Sequence, residues 1–199
     1  MEMKSYGGKT LISVDVQPEY ASVIGFSMES YTTFLNENYD DFNDLIFLYN
    51  GPDLGMISEQ EYKEWLASNG LEERILDGAK FYDKGYAFFR YCMDSSIDET
   101  AVANFVRFMY QNSIHDSREM NREMWAKYLR EYRRIDRKEV YELLKHSDDC
   151  VHIPDLMDYL KRFQNIVLTG GGVNECLKEV EIALQALNQP YQVDRQYTY

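Results

Sequence analysis

The sequence contains little cysteine, little proline and no long apolar segment. Its three cysteines, Cys92, Cys150 and Cys176, are too few and too widely spaced for a disulfide framework or a cysteine-rich zinc site. No apolar run approaches the roughly 18 residues of a membrane-spanning helix, and the first residues lack the pattern of a signal peptide. We therefore expect a cytoplasmic protein that has no membrane partner and keeps its thiols reduced.

Basic residues are also scarce, since 21 Lys and Arg stand against 34 Asp and Glu, for a formal net charge of −13. This excess of acid argues against binding of the whole chain to nucleic acid or to an anionic membrane. Hydrophobic residues make up 45% of the 199 residues, which is typical of a globular protein. A chain of this length usually forms one domain, so we expect a single domain over residues 1–199.

Residues 165–187 carry the most informative pattern of the chain. The apolar run 166–168 predicts a buried strand, Gly170–Gly172 a tight turn, and Asn174 the N-cap of an amphipathic helix. Cys176 then falls in the first helical turn, where unpaired backbone N–H groups and the helix dipole favour a thiolate. We predict that Cys176 is a nucleophile; the alternative role for this residue is that of a small buried hydrophobe.

Two other segments bring polar residues to the ends of predicted strands. Asp15 directly follows a strand predicted at 10–14, and α/β folds place their sites at the carboxyl ends of strands. Lys80 and Lys84 lie in the aromatic, strand-like segment 79–91, where a continuous strand would turn both to the same side. Either lysine could orient an acid and a thiol, while the alternatives are a capping aspartate and solvated lysines.

Three motifs resemble those of the isochorismatase-like cysteine hydrolases, the superfamily of nicotinamidases, isochorismatases and N-carbamoyl-amine amidohydrolases. LISVDVQPEY (11–20) is similar to the first strand of that family, DKGYAFFR (83–90) to its lysine segment, and VLTGGGVNECLKEVEIAL (167–184) to its cysteine segment. The resemblance implies a doubly wound, three-layer α/β sandwich with a central, mainly parallel sheet.

The resemblance also implies roles for individual residues. Cys176 would be the nucleophile, Asp15 the general base, and Lys84 the residue that orients and electrostatically supports them. The backbone N–H groups of Gly172 and Cys176 would form the oxyanion hole, and the peptide bond 171–172 would be cis. The residues implied for the substrate pocket are Gln17, Tyr86, Phe88 and Asn174.

The chain departs from the family pattern in several respects. The spacing between lysine and phenylalanine differs, which leaves Lys80 open as an alternative to Lys84. The Asp-x-His metal motif of nicotinamidases is missing, and the three histidines, His115, His146 and His152, all lie far downstream. We therefore expect no metal and no cofactor. A phosphate cradle at Gly170–Gly172 is a further alternative, but the chain has no Walker lysine to support it.

Residues 98–150 form an unusually long connection before the cysteine strand, and apolar stripes predict that most of it is helical. The predicted stripes are Ala101, Phe105, Phe108 and Met109; Met120, Met124, Tyr128 and Leu129; and Val140, Leu143 and Leu144. Between Arg118 and Lys138 eight basic residues stand against four acidic ones. A solvated helical face is the simplest interpretation, and a lid, an anionic-substrate contact and an oligomer interface are the alternatives.

These patterns support two hypotheses of different classes. The first is a metal-independent cysteine hydrolase, a homo-oligomer that cleaves a C–N amide or carbamoyl bond of a small molecule. The second is a catalytically inactive protein of the same fold that serves as a binding or assembly module, with the 98–150 insertion as its working surface.

Overall fold

The computed structural model describes residues 6–20, 26–85, 98–132 and 153–199. These residues form two compact units. The first unit consists of the described residues up to Gly85 together with Phe163–Val173 and Pro190–Tyr199. The second consists of the described residues from 98 to Arg162 together with Asn174–Gln189.

The first unit is built on a five-stranded sheet in which all neighbouring strands are parallel. Its strands are β1 (Lys9–Val14), β2 (Phe42–Tyr49), β3 (Lys80–Asp83), β4 (Ile166–Gly170) and β5 (Tyr191–Val193). The strand order β3-β2-β1-β4-β5 runs outward from β1 in both directions, which is the order of a doubly wound fold. Helices occupy the connections between strands, so the predicted class, α/β with a parallel sheet flanked by helices, is confirmed.

The central strands are apolar because parallel strands in such sheets are covered on both faces. The last five residues of β1 and all five of β4 are buried. β2 begins at Phe42, three residues before its apolar run starts at Leu45. Its first three residues are not buried, but the strand already pairs with β1 there, with Thr10 opposite Asp44. An apolar run therefore marked only the buried part of this strand.

Three helices accompany the sheet in the first unit: α1 (Met28–Asn38), α2 (Glu59–Ser68) and α3 (Glu73–Gly78). A capping box opens α2, where the Ser58 side chain accepts from the Glu61 N–H and the Glu61 carboxylate accepts from the Ser58 N–H. The core of this unit is rich in aromatic rings, among which Phe47 stacks on Phe81 with 5.0 Å between the ring centroids.

The second unit contains α4 (Glu99–Gln111), α5 (Arg122–Glu131), α6 (Ile153–Leu160) and α7 (Cys176–Ala186). The first predicted stripe of the insertion is buried on α4, as expected. Leu129, a member of the second stripe, lies in α5 as predicted but is 44% exposed. The preceding residue, Tyr128, faces Phe105 and Phe108 instead, and the next helical position is turned by about 100° away from it.

Several residues singled out from the sequence lie outside the described residues, and so does the third predicted stripe. They are Tyr86, Phe88, Cys92, Val140, Leu143, Leu144, His146, Cys150 and His152. Within the described residues, the structure has no helix that combines the length and apolar character needed to cross a bilayer.

Candidate active site

The carboxyl ends of the parallel strands meet at one edge of the sheet in the first unit. Asp15 follows β1, Asn50 follows β2 and Lys84 follows β3. Between β1 and β4, where the strand order changes direction, Val14 is paired with Gly170. Ligand sites of open α/β sheets form at such a switch point, outside the carboxyl ends of the strands.

Asp15 and Lys84 form a buried ion pair at this edge. Nζ of Lys84 lies 3.1 Å from Oδ2 of Asp15, and their side chains are 1% and 0% exposed respectively. Asn50 joins both partners, since its Nδ2 lies 3.4 Å from Oδ2 of Asp15 and its Oδ1 lies 3.2 Å from the lysine Nζ. The side-chain amide of Asn50 thus contacts both the carboxylate and the ammonium of the pair.

The structure distinguishes the two lysines that the sequence left open. The Lys84 N–H donates to the Tyr49 carbonyl at 2.9 Å, which extends the pairing with β2 by one residue and carries this side chain to Asp15. Lys80 lies at the opposite end of β3, where its half-exposed ammonium contacts Asp44 and lies 5.1 Å from the ring centroid of Phe163. Lys84 is therefore the lysine beside the predicted general base.

A buried ion pair is a costly way to stabilise a fold. Removing a carboxylate and an ammonium from water costs several kcal/mol per ion, and an apolar pair of similar volume is often at least as stable. Titratable groups with strong partners in buried positions concentrate at functional sites. The Asp15–Lys84 pair is therefore the strongest candidate for functional chemistry in the first unit.

Gln17, which the resemblance assigns to the substrate pocket, is fully buried in the structure. Its Oε1 accepts from the Asn50 N–H at 2.9 Å, and its Nε2 lies 3.0 Å from Oε2 of Glu19. The Gln17 side chain therefore fixes the backbone of Asn50, and the side-chain amide of Asn50 in turn contacts Asp15 and Lys84.

Asp15 itself has a backbone conformation that is unusual for a residue with a side chain. Its φ is +48°, in the left-handed region, which Asp and Asn tolerate better than most residues. Its N–H donates to the Leu48 carbonyl at 2.8 Å, and its own carbonyl accepts from the Tyr199 hydroxyl at 2.8 Å. Strained backbone of this kind is frequent at functional sites.

The glycine turn after β4 does not have the predicted cis peptide bond at 171–172, and none occurs among the described residues. Gly170 and Gly171 instead have φ values of +71° and +63°. Two successive glycines in the left-handed region form this turn with trans bonds, so the prediction of a cis bond was wrong.

In the second unit, α7 begins at Cys176, so the predicted position of the cysteine in the first helical turn is confirmed. The prediction that Asn174 is the N-cap was wrong. Asn174 is exposed, and the N-cap position falls on Glu175, which makes no side-chain capping bond. The helix starts one residue later than an Asn174 cap requires. Cys176 is buried, with 5% of the residue exposed, and its place at the helix start favours a thiolate.

The structure thus brings Asp15 and Lys84 together, and Asn50 and Tyr199 are additional members that the sequence interpretation missed. Asn50 shares with Asp15 and Lys84 the position directly after a strand, which is a signal that could have identified it. No group of three or more metal-ligating side chains occurs in the parts of the chain that the structure describes.

Comparison of the chain with protein-family models, with curated proteins and with solved structures found no match. The likeness to isochorismatase-like hydrolases therefore depends on the three motifs, and the activity it implies is a proposal.

Replacing Asn50 with leucine is expected to lower the free energy of unfolding by about 1–3 kcal/mol, because it removes a buried group that contacts both members of the ion pair. Asn43→Leu is the matched control, since the Asn43 amide is exposed and donates to the Gly8 carbonyl at 3.1 Å. Its effect should stay within about 0.5 kcal/mol. Urea unfolding measures both variants, and equal losses would contradict a special role of Asn50.

Proposed function

We propose that this protein is a metal-independent cysteine hydrolase that cleaves a C–N amide or carbamoyl bond of a small molecule. In this proposal Cys176 is the nucleophile, Asp15 the general base and acid, and Lys84 the cation that stabilises the Asp15 carboxylate. The backbone N–H groups of Gly172 and Cys176 stabilise the oxyanion.

The observation that carries the proposal is the buried Asp15–Lys84 pair at the carboxyl ends of the strands of a doubly wound sheet. The pair occupies the first two positions of the motif order Asp, Lys, Cys. The third motif supplies a cysteine at the first position of a helix, which is where a thiolate is favoured.

The chemistry proceeds in two balanced steps. In the first, Asp15 takes the proton of the Cys176 thiol, and the sulfur forms a bond with the carbonyl carbon of the substrate. The C–N bond then breaks, and the leaving amine takes the proton from Asp15. In the second, water attacks the thioester and gives a proton to Asp15, and the thiol is restored as the acid product leaves.

Lys84 and the two backbone donors contribute electrostatically. The Lys84 ammonium, at 3.1 Å, stabilises the carboxylate form that accepts the thiol proton. Fixed N–H donors that meet the developing oxyanion are worth about a hundredfold or more in rate each. No metal is needed to polarise the carbonyl group in this scheme.

The test is the pH dependence of Cys176 alkylation by iodoacetamide, a reagent as small as the proposed substrates. A Cys92→Ser/Cys150→Ser background leaves Cys176 as the reactive thiol of the chain. We expect rapid labelling near neutral pH and an altered pH profile in an Asp15→Asn variant, because the carboxylate no longer accepts the thiol proton. Asparagine keeps the size of the side chain and tolerates the left-handed backbone of residue 15.

A panel of small primary amides and N-carbamoyl amines then tests turnover through release of ammonia or amine. Asp15→Asn should slow hydrolysis by about 10²–10⁴-fold, and Cys176→Ser serves as the control without the thiol nucleophile. Slow labelling with an ordinary thiol profile that Asp15→Asn leaves unchanged would reject the enzyme. That outcome would favour the second hypothesis, a binding or assembly module, for which the buried Cys176 is a packing residue.

A further inference from the structure

Tyr199 contacts both segments that the proposed chemistry uses in the first unit. Its hydroxyl donates to the Asp15 carbonyl at 2.8 Å. Its backbone N–H donates to the Gly171 carbonyl at 3.2 Å, and its carbonyl accepts from the Val173 N–H at 2.8 Å. One residue therefore holds the turn that carries the acid and the glycine turn after β4.

The two backbone hydrogen bonds bracket Gly172 in the pattern of a parallel bridge. In such a bridge the N–H and carbonyl of the bracketed residue point away from the partner strand. The N–H of Gly172, a proposed oxyanion donor, is therefore directed to the side opposite Tyr199. This contact fixes a segment in which the preceding glycine, Gly171, has left-handed backbone and no side chain to hold it.

The Asp15 turn has a similar need for support. A non-glycine residue with a φ of +48° stays in that conformation only when its surroundings impose it. The backbone of Asp15 is held by the Leu48 carbonyl on one side and by the Tyr199 hydroxyl on the other. The hydroxyl bond therefore acts on the backbone that orients the Asp15 carboxylate.

Tyr199 is itself firmly held. The Asp194 N–H continues the pairing of β5 with β4 by donating to the Leu168 carbonyl at 2.9 Å. Two residues before Tyr199, the ring of Tyr197 stacks on Phe34 with 4.3 Å between the centroids. The Tyr199 ring packs edge-on against Phe26 at 5.3 Å. A residue anchored in this way can impose a conformation on its neighbours.

We propose that Tyr199 is a positioning residue of this site, which fixes the backbone of Asp15 through its hydroxyl and that of Gly172 through its main chain. The catalytic role of Tyr199 rests on the proposed function, but its structural role, which is to fix these two backbone segments, can be tested by itself. The key variant is Tyr199→Phe, which removes the hydroxyl and keeps the ring.

Amide hydrogen exchange tests the structural role of Tyr199. Tyr199→Phe should accelerate exchange of the Asp15 amide by about tenfold and leave that of Val173 nearly unchanged. Tyr199→Ala, which also removes the ring packing, should accelerate both. Tyr197→Phe removes a hydroxyl from the same segment and should change neither. If Tyr199→Phe leaves the Asp15 amide unchanged, or if Tyr197→Phe has the same effect, the positioning role is wrong.

The pH profile of Cys176 labelling in the Cys92→Ser/Cys150→Ser background tests the catalytic role of Tyr199. Tyr199→Phe should shift the midpoint in the same direction as Asp15→Asn, by roughly half a pH unit or more, and should add nothing in an Asp15→Asn variant. Two outcomes would overturn the role in catalysis. Tyr199→Phe could shift the midpoint equally with and without the Asp15 carboxylate, or it could leave the midpoint unchanged although Asp15→Asn shifts it. If Asp15→Asn itself has no effect, the proposed function fails, and the exchange experiment still decides the positioning role.

Discussion

Lys84→Met is expected to lower the free energy of unfolding at neutral pH by about 3–5 kcal/mol, because it removes the cation from a fully buried carboxylate. The ammonium is 3.1 Å from Oδ2 of Asp15, and neither side chain is exposed enough for water to replace it. Methionine keeps most of the side-chain volume, so the loss reports the charge rather than a cavity. The deficit should shrink as the pH falls, since a protonated Asp15 no longer carries a buried charge.

Lys80→Met is the matched control for this prediction. Lys80 begins the strand that Lys84 follows and contacts a carboxylate, Asp44, but its side chain is 50% exposed. An exposed pair contributes at most about 1 kcal/mol, so this variant should be nearly neutral.

A double variant, Asp15→Asn/Lys84→Met, removes both charges and should recover much of the stability that Lys84→Met loses. Urea unfolding at neutral and acidic pH measures all of these variants. Equal losses in Lys80→Met and Lys84→Met, or a double variant in which the single losses simply add, would contradict a coupled buried pair.

Gly170→Ala is the second change with a large expected effect, a loss of about 2–5 kcal/mol in the free energy of unfolding. A Cβ at this position would lie 2.4 Å from Cγ2 of Val16 and 2.6 Å from the Val14 carbonyl oxygen. The carbonyl belongs to β1 and cannot move without breaking the pairing with β4. The φ of +71° adds the cost of left-handed backbone.

Gly8→Ala separates these two costs. Gly8 has a similar φ of +74°, but a Cβ there would meet nothing within 4 Å. Its loss should be limited to the backbone term, about 1–2 kcal/mol. Thermal or urea unfolding of the two variants therefore isolates the clash. A Gly8→Ala loss as large as that of Gly170→Ala would show that the close approach of β1 and β4 does not matter.

The close approach of β4 to β1 at Gly170 lies directly beside the proposed site. Only a glycine allows the end of β4 to lie against Val14, directly before the residue that carries the proposed general base. The requirement for glycine at position 170 is thus structural, and it needs no phosphate ligand to explain it.

The sequence alone determined the features that depend on neighbouring residues. The apolar residues at 10–14 and 166–168 predicted the buried cores of β1 and β4. The same kind of local pattern predicted the cysteine in the first turn of α7. These features are set by backbone angles and side-chain periodicity within a few residues, which a linear pattern records.

Local patterns failed where a terminus or a turn had several solutions. Asn174 and Glu175 are both possible N-cap positions, and packing around the turn selects the second of them. The cis bond that the family resemblance implied is replaced by trans bonds and two left-handed glycines.

Only the tertiary structure decided which residues surround Asp15. The order of the strands, with β2 between β1 and β3, brings Asn50 and Lys84 to the acid and leaves Lys80 at the far end of β3. Tyr199 reaches the Asp15 carbonyl across 184 residues of chain. Contacts over such separations depend on strand order and register, which no local sequence pattern encodes, because they are chosen by the packing of the whole sheet.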